Sequence, residues 1–150
     1  MKKSRARDLG VPFEGITGSN NAITDVEGLM VGYTTLIEGE DVRIGVSAIL
    51  PKGHDGLYTR VPGAIFSLNG NGEMTGYHWV EEAGMVDGPI MLTNTHSVGL
   101  VRDATIAYLH NHPANPRAAN EFFLPVASET YDGVLNDMNG HHVTAANSRP

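Results

Sequence analysis

Between residues 42 and 50 apolar side chains alternate with polar or small ones, so that Val42, Ile44, Val46, Ala48 and Leu50 share one face of a predicted strand. The β-branched segment before it, residues 29–37, is separated from it by Glu38-Gly39-Glu40-Asp41, which predicts a hairpin with a four-residue loop. Further apolar runs predict strands at 64–68, 89–93 and 122–127, with Pro125 placing the last near an edge or a bulge. Helices are predicted over 73–83, stopped by Gly84, and over 97–110, with Ser97 as N-cap and Val98, Val101, Thr105 and Tyr108 on one stripe before His112-Pro113. Residues 10–28, rich in Gly, Asn, Thr and Pro, have no period and read as an irregular lead-in. The tail from His141 to Pro150 has too few apolar residues to finish a domain, so the chain is expected to break off mid-fold. The whole is an α+β pattern with at least one antiparallel hairpin and no internal repeat.

With 150 residues, 41% of them apolar, the chain is long enough for one compact domain burying about two-thirds of its unfolded surface. Eighteen glycines and eight prolines are many for a helical bundle but too few for a fibrous or low-complexity chain. The net charge of −7 leaves no general basic surface to neutralise phosphates, which argues against nucleic acid as a partner. Without cysteine, a nucleophile has to be oxygen or nitrogen, and no thiolate metal site or disulfide exists. Lys2, Lys3, Arg5 and Arg7 form a basic arm, but no apolar stretch follows as in a signal peptide, and no run approaches the ~20 residues that span a bilayer. A cytoplasmic location is expected, or a periplasmic one if a signal peptide has been removed, with no membrane partner.

Four polar groupings carry candidate chemistry. Gly70-x-Gly72-x-x-x-Gly76 lies between a predicted strand and a helix, where backbone amides can cradle phosphate, but its spacing misses the dinucleotide fingerprint and a tight turn explains it better. His110 with His112, and His141 with His142, lack the i, i+4 spacing that puts two metal ligands on one helix face, so no metal is expected. The segment Asn94-Thr-His-Ser-Val-Gly99 could face a cleft, yet a cap at Ser97 and a carbonyl partner for His96 account for it. Ser128-Glu-Thr-Tyr-Asp-Gly133, with Leu135-Asn-Asp137, is the densest polar cluster and follows an apolar strand. Two carboxylates flanking a phenol suit the binding of an amine and the positioning of protons, while an Asp-Gly turn with an acidic rim suits the same residues equally.

These segments together resemble a known family. Arg5-Ala-Arg-Asp-Leu-Gly10, Asn20-Asn-Ala-Ile-Thr-Asp-Val26, Ser67-Leu-Asn-Gly-Asn-Gly-Glu-Met-Thr-Gly76, Asn94-Thr-His-Ser-Val-Gly99 and Glu129-Thr-Tyr-Asp-Gly133 closely resemble the β-peptidyl aminopeptidases and the L-aminopeptidase/D-amino acid esterase-amidases, in order through nearly the whole chain. The resemblance implies a self-cleaving precursor giving an α and a β chain, the β chain opening with a serine whose hydroxyl is the nucleophile and whose α-amine is the base. Such an amine, with an unperturbed pKa of about 7.7–8.0, keeps a useful free-base fraction near neutrality. It further implies a four-layer αββα sandwich like that of N-terminal nucleophile hydrolases, no cofactor, short peptide, amide or ester substrates with β-peptides among them, and a homo-oligomer of αβ units.

Family precursors are much longer than this chain. Residues 1–150 are therefore expected to be the N-terminal part of a single hydrolase domain, its partners being the rest of the α subunit and the whole β subunit, and to be inactive alone. Asn147-Ser148 mimics a cleavage junction with too little chain after it, and Gly18-Ser19 does so on the wrong side. By resemblance, Glu129 is the carboxylate that receives the substrate's free amino group and Tyr131 the hydroxyl set against the nucleophile and the tetrahedral intermediate. Asn69, Asn71, Asn94 and Ser97 match family motifs and are assigned structural support. An acyltransferase of related architecture and a non-catalytic scaffold are the competing readings.

Overall fold

The computed structural model describes residues 4–150, so that Lys2 and Lys3 lie outside the described residues. Arg5 and Arg7 do not form a loose arm. Arg5 donates to the carbonyls of Asn20 and Asn21 at 2.8 and 2.6 Å, and Arg7 lies over the Phe13 ring at 5.2 Å, stitching the irregular lead-in to itself.

The chain runs through β1 (Met30–Glu38), β2 (Val42–Leu50), β3 (Val61–Pro62), α1 (Tyr77–Ala83), β4 (Met85–Val86), β5 (Ile90–Asn94), α2 (Val98–Asn111) and β6 (Val126–Thr130). The main sheet has the order β1-β2-β5-β6 and is mixed: β1, β2 and β5 pair antiparallel, whereas β5 and β6 are parallel and joined by α2. A parallel pair needs such a crossover. Glu38 faces Val42, so the hairpin loop has three residues, Gly39 to Asp41, rather than the expected four. Among the described residues no helix is long and apolar enough to cross a membrane.

The alternation of β2 is obeyed along its length, with Val42, Ile44, Val46, Ala48 and Leu50 all buried. The first four meet Met91 of β5, Ala127 of β6, and Val98 and Val101 of α2 in the main core cluster. Each buried Val, Ile or Met side chain among them contributes about 1.5–3 kcal/mol relative to exposure. The buried stripe of α2 is Val98, Val101, Thr105 and Leu109; Tyr108, predicted on that stripe, is half-buried beside it. Ser97 stands at the N-cap but makes no capping bond, because a 3-10 turn over Thr95–Ser97 already holds it in a helical conformation and buries it.

The opposite face of the sheet is covered at one end only. There Val80 of α1 and Val86 of β4 pack on Val126 and Ile90. Toward β1 it is bare: Val31, Tyr33 and Ile37, on the side away from α2, are 41%, 78% and 67% exposed.

Three expected elements are corrected. Residues 64–68 form no strand but an exposed loop, with Phe66 and Leu68 both 86% exposed. The first helix begins at Tyr77 instead of residue 73, because Gly76 takes the left-handed conformation at its N-cap and 73–75 run beside β6. The last strand is shifted toward the C-terminus, since Pro125 can only precede it; the polar Ser128-Glu-Thr130 is thus the second half of the strand and not its sequel.

Asp87, fully buried between β4 and β5, anchors the loop that leads into β6. Both terminal guanidinium nitrogens of the buried Arg117 side chain donate to its two oxygens, one at 3.1 Å, and Arg60 and the Leu124 amide each add a contact at 3.4 Å. Arg117 also donates to the Phe122 carbonyl at 2.8 Å and stacks on Phe123 at 4.4 Å.

Candidate active site

The segment 73–75 runs along the outer edge of β6, held chiefly by one threonine. Thr75 donates its hydroxyl to the Pro125 carbonyl and accepts from the Ala127 amide, each at 2.9 Å, while its own amide donates to the Ala127 carbonyl at 2.9 Å. The Glu129 amide then donates to the Glu73 carbonyl at 3.2 Å, and Met74 bridges Ser128 antiparallel. Gly76 makes this approach possible: a Cβ there would stand 3.0 Å from the Leu124 carbonyl oxygen and 3.1 Å from that of Pro125.

This pairing sets the loop 65–74 opposite the end of β6, and between them lies a cleft of about 800 Å³ lined by Phe66, Leu68, Asn69, Asn71, Glu129 and Tyr131 among others. The loop is shaped from within, as Ser67 donates to the Asn69 carbonyl and the Asn69 side-chain oxygen accepts from the Asn71 amide, both at 2.9 Å. Glu129 is half-buried in the lining of the cleft, and Tyr131, also part of the lining, is 70% exposed. Between them Thr130 turns its hydroxyl back to the Thr93 carbonyl at 3.2 Å, which fixes the strand to β5. A carboxylate and a phenol two residues apart thus open into one cleft that also has an apolar wall, the combination needed to hold an ammonium and stabilise an oxygen anion nearby.

The remaining polar cluster faces elsewhere. Asp132 accepts from the Asn136 side chain at 2.7 Å, Asn136 accepts from the Arg43 amide at 2.8 Å, and the Asp137 amide donates to the Asp41 carbonyl at 2.9 Å, tying this stretch to the tip of the first hairpin. Gly72 of the glycine motif lies against the Glu129 carboxylate, a neighbour that repels phosphate. His112 accepts from the Ala114 amide at 3.2 Å, His141 stacks on His96 with centroids 6.1 Å apart, and His142 meets Asp137 at 2.9 Å. His96, expected to meet a loop carbonyl, is an exposed ring stacked on another. Among the described residues no three metal-binding side chains converge. Asn94 is buried with neither amide atom hydrogen-bonded among the described residues. Ser148 is buried and donates to the Thr144 carbonyl at 2.8 Å, and Ser19 donates to Asp25 at 3.2 Å, so both serines of the junction-like dipeptides are engaged locally.

Sequence reasoning reaches Glu129 and Tyr131 but not the wall formed by Phe66 and Leu68, where it predicts a buried strand. The signal for that wall is the flanking Asn-Gly-Asn-Gly: an apolar run leading into such a stretch can be a loop wall as well as a strand.

A family model described as Peptidase family S58 matches residues 21–150. Among curated proteins the chain is 53% identical over 147 residues to the β-peptidyl aminopeptidase BapA of Sphingosinicella microcystinivorans, covering 93% of this chain and 36% of that protein. It is 45% identical over 148 residues to the β-peptidyl aminopeptidase BapA of Sphingosinicella xenopeptidilytica, with the same coverage. The chain therefore spans about a third of the length of the curated relatives it matches. Among solved structures it superposes with a TM-score of 0.84 on the L-aminopeptidase D-Ala-esterase/amidase of Ochrobactrum anthropi, described as a variant of the Ntn hydrolase fold, at 46% identity over 97% of this chain and 43% of that one. The β-aminopeptidase of a Burkholderia species gives a TM-score of 0.85 at 44% identity, covering 97% of this chain and 41% of that one.

Proposed function

Because the chain belongs to peptidase family S58, we propose that it is the N-terminal part of an aminopeptidase that removes N-terminal residues from short peptides, amides or esters, β-peptides among them. Its serine nucleophile lies on a segment outside these residues, in a β subunit released by self-cleavage. The observation that carries the reading is the shared cleft of Glu129 and Tyr131. Glu129 takes the substrate's free ammonium group, which would be strongly disfavoured if left unpaired in a closed cleft. This makes the enzyme an aminopeptidase and not an endopeptidase. Tyr131 donates its hydroxyl at the reacting carbonyl. No cofactor is required by this chemistry.

Glu129→Gln, made in the complete, self-processed protein, tests the assignment. The amide keeps the shape and removes the charge, so KM for a free-amine p-nitroanilide should rise about 10- to 100-fold, the scale of a lost charge-assisted hydrogen bond. An unchanged KM in a protein that has matured into two chains would remove Glu129 from substrate binding.

The same reading gives the bare side of the main sheet an occupant: a second sheet built from the remainder of the α subunit and the β subunit, completing a four-layer αββα sandwich of which residues 1–150 are one part. The αβ units then associate as a homo-oligomer. The 150-residue chain on its own should unfold over a broad temperature range or aggregate, since Val31, Tyr33 and Ile37 stay exposed. A sharp two-state transition in a monomer, followed by circular dichroism, would contradict that arrangement.

A further inference from the structure

We propose that Gly72 is a specificity-determining position: the missing side chain at this residue leaves open the path by which a substrate's amino group reaches Glu129. The inference deepens the proposed function and rests on the reading of Glu129 as the ammonium acceptor. Glycine is not demanded here by the backbone, because φ of Gly72 lies outside the left-handed region, in contrast to Gly76 four residues on. Nor is it demanded by a packed core, since Gly72 is exposed. What a Cβ at this position would meet is one group only, the Glu129 carboxylate: 3.3 Å from Oε1, 3.9 Å from Cγ and 4.0 Å from Cδ. The pairing of Glu73 and Thr75 with β6 holds the two residues in this relation, so the contact does not depend on a mobile loop tip alone.

A methyl group at that distance occupies one side of Oε1. It excludes both water and a nitrogen donor from the side that faces the loop, and it pushes the carboxylate by a few tenths of an ångström. An ammonium needs an approach to about 2.7–2.9 Å for a charge-assisted bond. Such a donor coming over Gly72 passes through the space the methyl would take, and bulk on the carbon bearing the amine passes there too. With glycine at position 72 the amino-bearing carbon can therefore carry bulk on the side facing the loop, whereas a side chain there would restrict the site to primary amines on unbranched carbons.

The test is Gly72→Ala in the complete, processed protein, with Gly70→Ala as control for stiffening the loop, because a Cβ at Gly70 meets nothing within 4 Å. KM for a free-amine p-nitroanilide should rise on the order of tenfold, a weakened charge-assisted bond, with kcat within a few-fold, while Gly70→Ala, in the same cleft loop but with no contact to Glu129, raises KM by clearly less. In a Glu129→Gln background the added effect of Gly72→Ala should vanish, since the group it obstructs no longer carries charge. Gly72→Ser places the same Cβ on a more hydrophilic side chain and serves if the alanine protein does not mature. A Gly72→Ala KM like that of wild type, beside a raised KM in Glu129→Gln, overturns this inference and leaves the role of Glu129 standing. An effect of Gly72→Ala that is equally large with and without the Glu129→Gln substitution likewise overturns it, as obstruction of the carboxylate would then not be its cause. An unchanged KM in Glu129→Gln removes the underlying reading and this inference together.

Discussion

Phenylalanine in place of Tyr131 should lower kcat of the complete, processed protein by about 10²–10³ and change KM by no more than a few-fold. The hydroxyl makes no hydrogen bond among the described residues, and it stands over Gly133, where an added Cβ would lie 2.8 Å from Oη. It is a donor in the lining of the cleft without a partner of its own among the described residues. Under the proposed function this hydroxyl donates where charge develops, in the transition state, and contributes little to ground-state binding, hence the split between kcat and KM. If Tyr131 were only an exposed turn residue, its hydroxyl would sit in water and the substitution would be nearly silent. Steady-state kinetics on a variant whose maturation is confirmed by the appearance of two chains separates the cases, because failure to self-cleave would also abolish activity. A loss of less than a few-fold in kcat, set against the expected 10²–10³, takes Tyr131 out of the chemistry.

Asp87→Ala should cost about 3–5 kcal/mol of stability, the effect of stranding one partner of a buried ion pair. Arg117, only 8% exposed in its side chain, would keep its charge and lose both bonds to the carboxylate. The wild-type protein should show the same interaction in its acid sensitivity. Desolvation by burial is the largest influence on Asp87 and pushes its carboxyl up, yet the hydrogen bonds and charge of Arg117, with the Leu124 amide and Arg60, outweigh it and hold the group below its ordinary value. A carboxyl lower in the folded state than its unfolded value of about 3.9 stabilises the fold fully above that pH, and the contribution fades as pH falls through the folded pKa. Urea midpoints measured from pH 7 downward should therefore fall with acidification in wild type, and fall less in Asp87→Ala. Equal midpoints of the two proteins at pH 7 would show that the pair contributes nothing net.

The parts of this molecule that are legible in its sequence are those where one period dominates. β2 can be read residue by residue because the side chains on its buried face alternate without interruption, and α2 because two apolar turns follow each other before His112-Pro113. The start of α1 is not legible, because nothing in residues 73–76 announces that Thr75 will commit its hydroxyl to the backbone of a strand 50 residues away. Residues 64–68 have the composition of a core strand and are a cleft wall, a tertiary outcome that local composition does not encode. Asp87 looks like an ordinary Asp-Gly turn, since its partners Arg60, Arg117 and Leu124 are distant in the chain. Of the candidate site, the roles proposed for Glu129 and Tyr131 come through the resemblance alone, and local chemistry leaves an acidic turn equally open. Their common cleft needs the fold.

The two edges of the main sheet are unequal in how they can be extended. Along β6 the outward amides of Ala127 and Glu129 and the Ala127 carbonyl are already taken, by the Thr75 hydroxyl, the Glu73 carbonyl and the Thr75 amide respectively. Along β1 nine consecutive residues border no further strand among the described residues. Elongation of the sheet is therefore polar, like that of a filament with one blocked and one growing end. A further ladder can add beside β1, while the β6 side is terminated at the cleft of Glu129 and Tyr131, and the threonine that shapes the cleft is also the stop that keeps another strand from filling it.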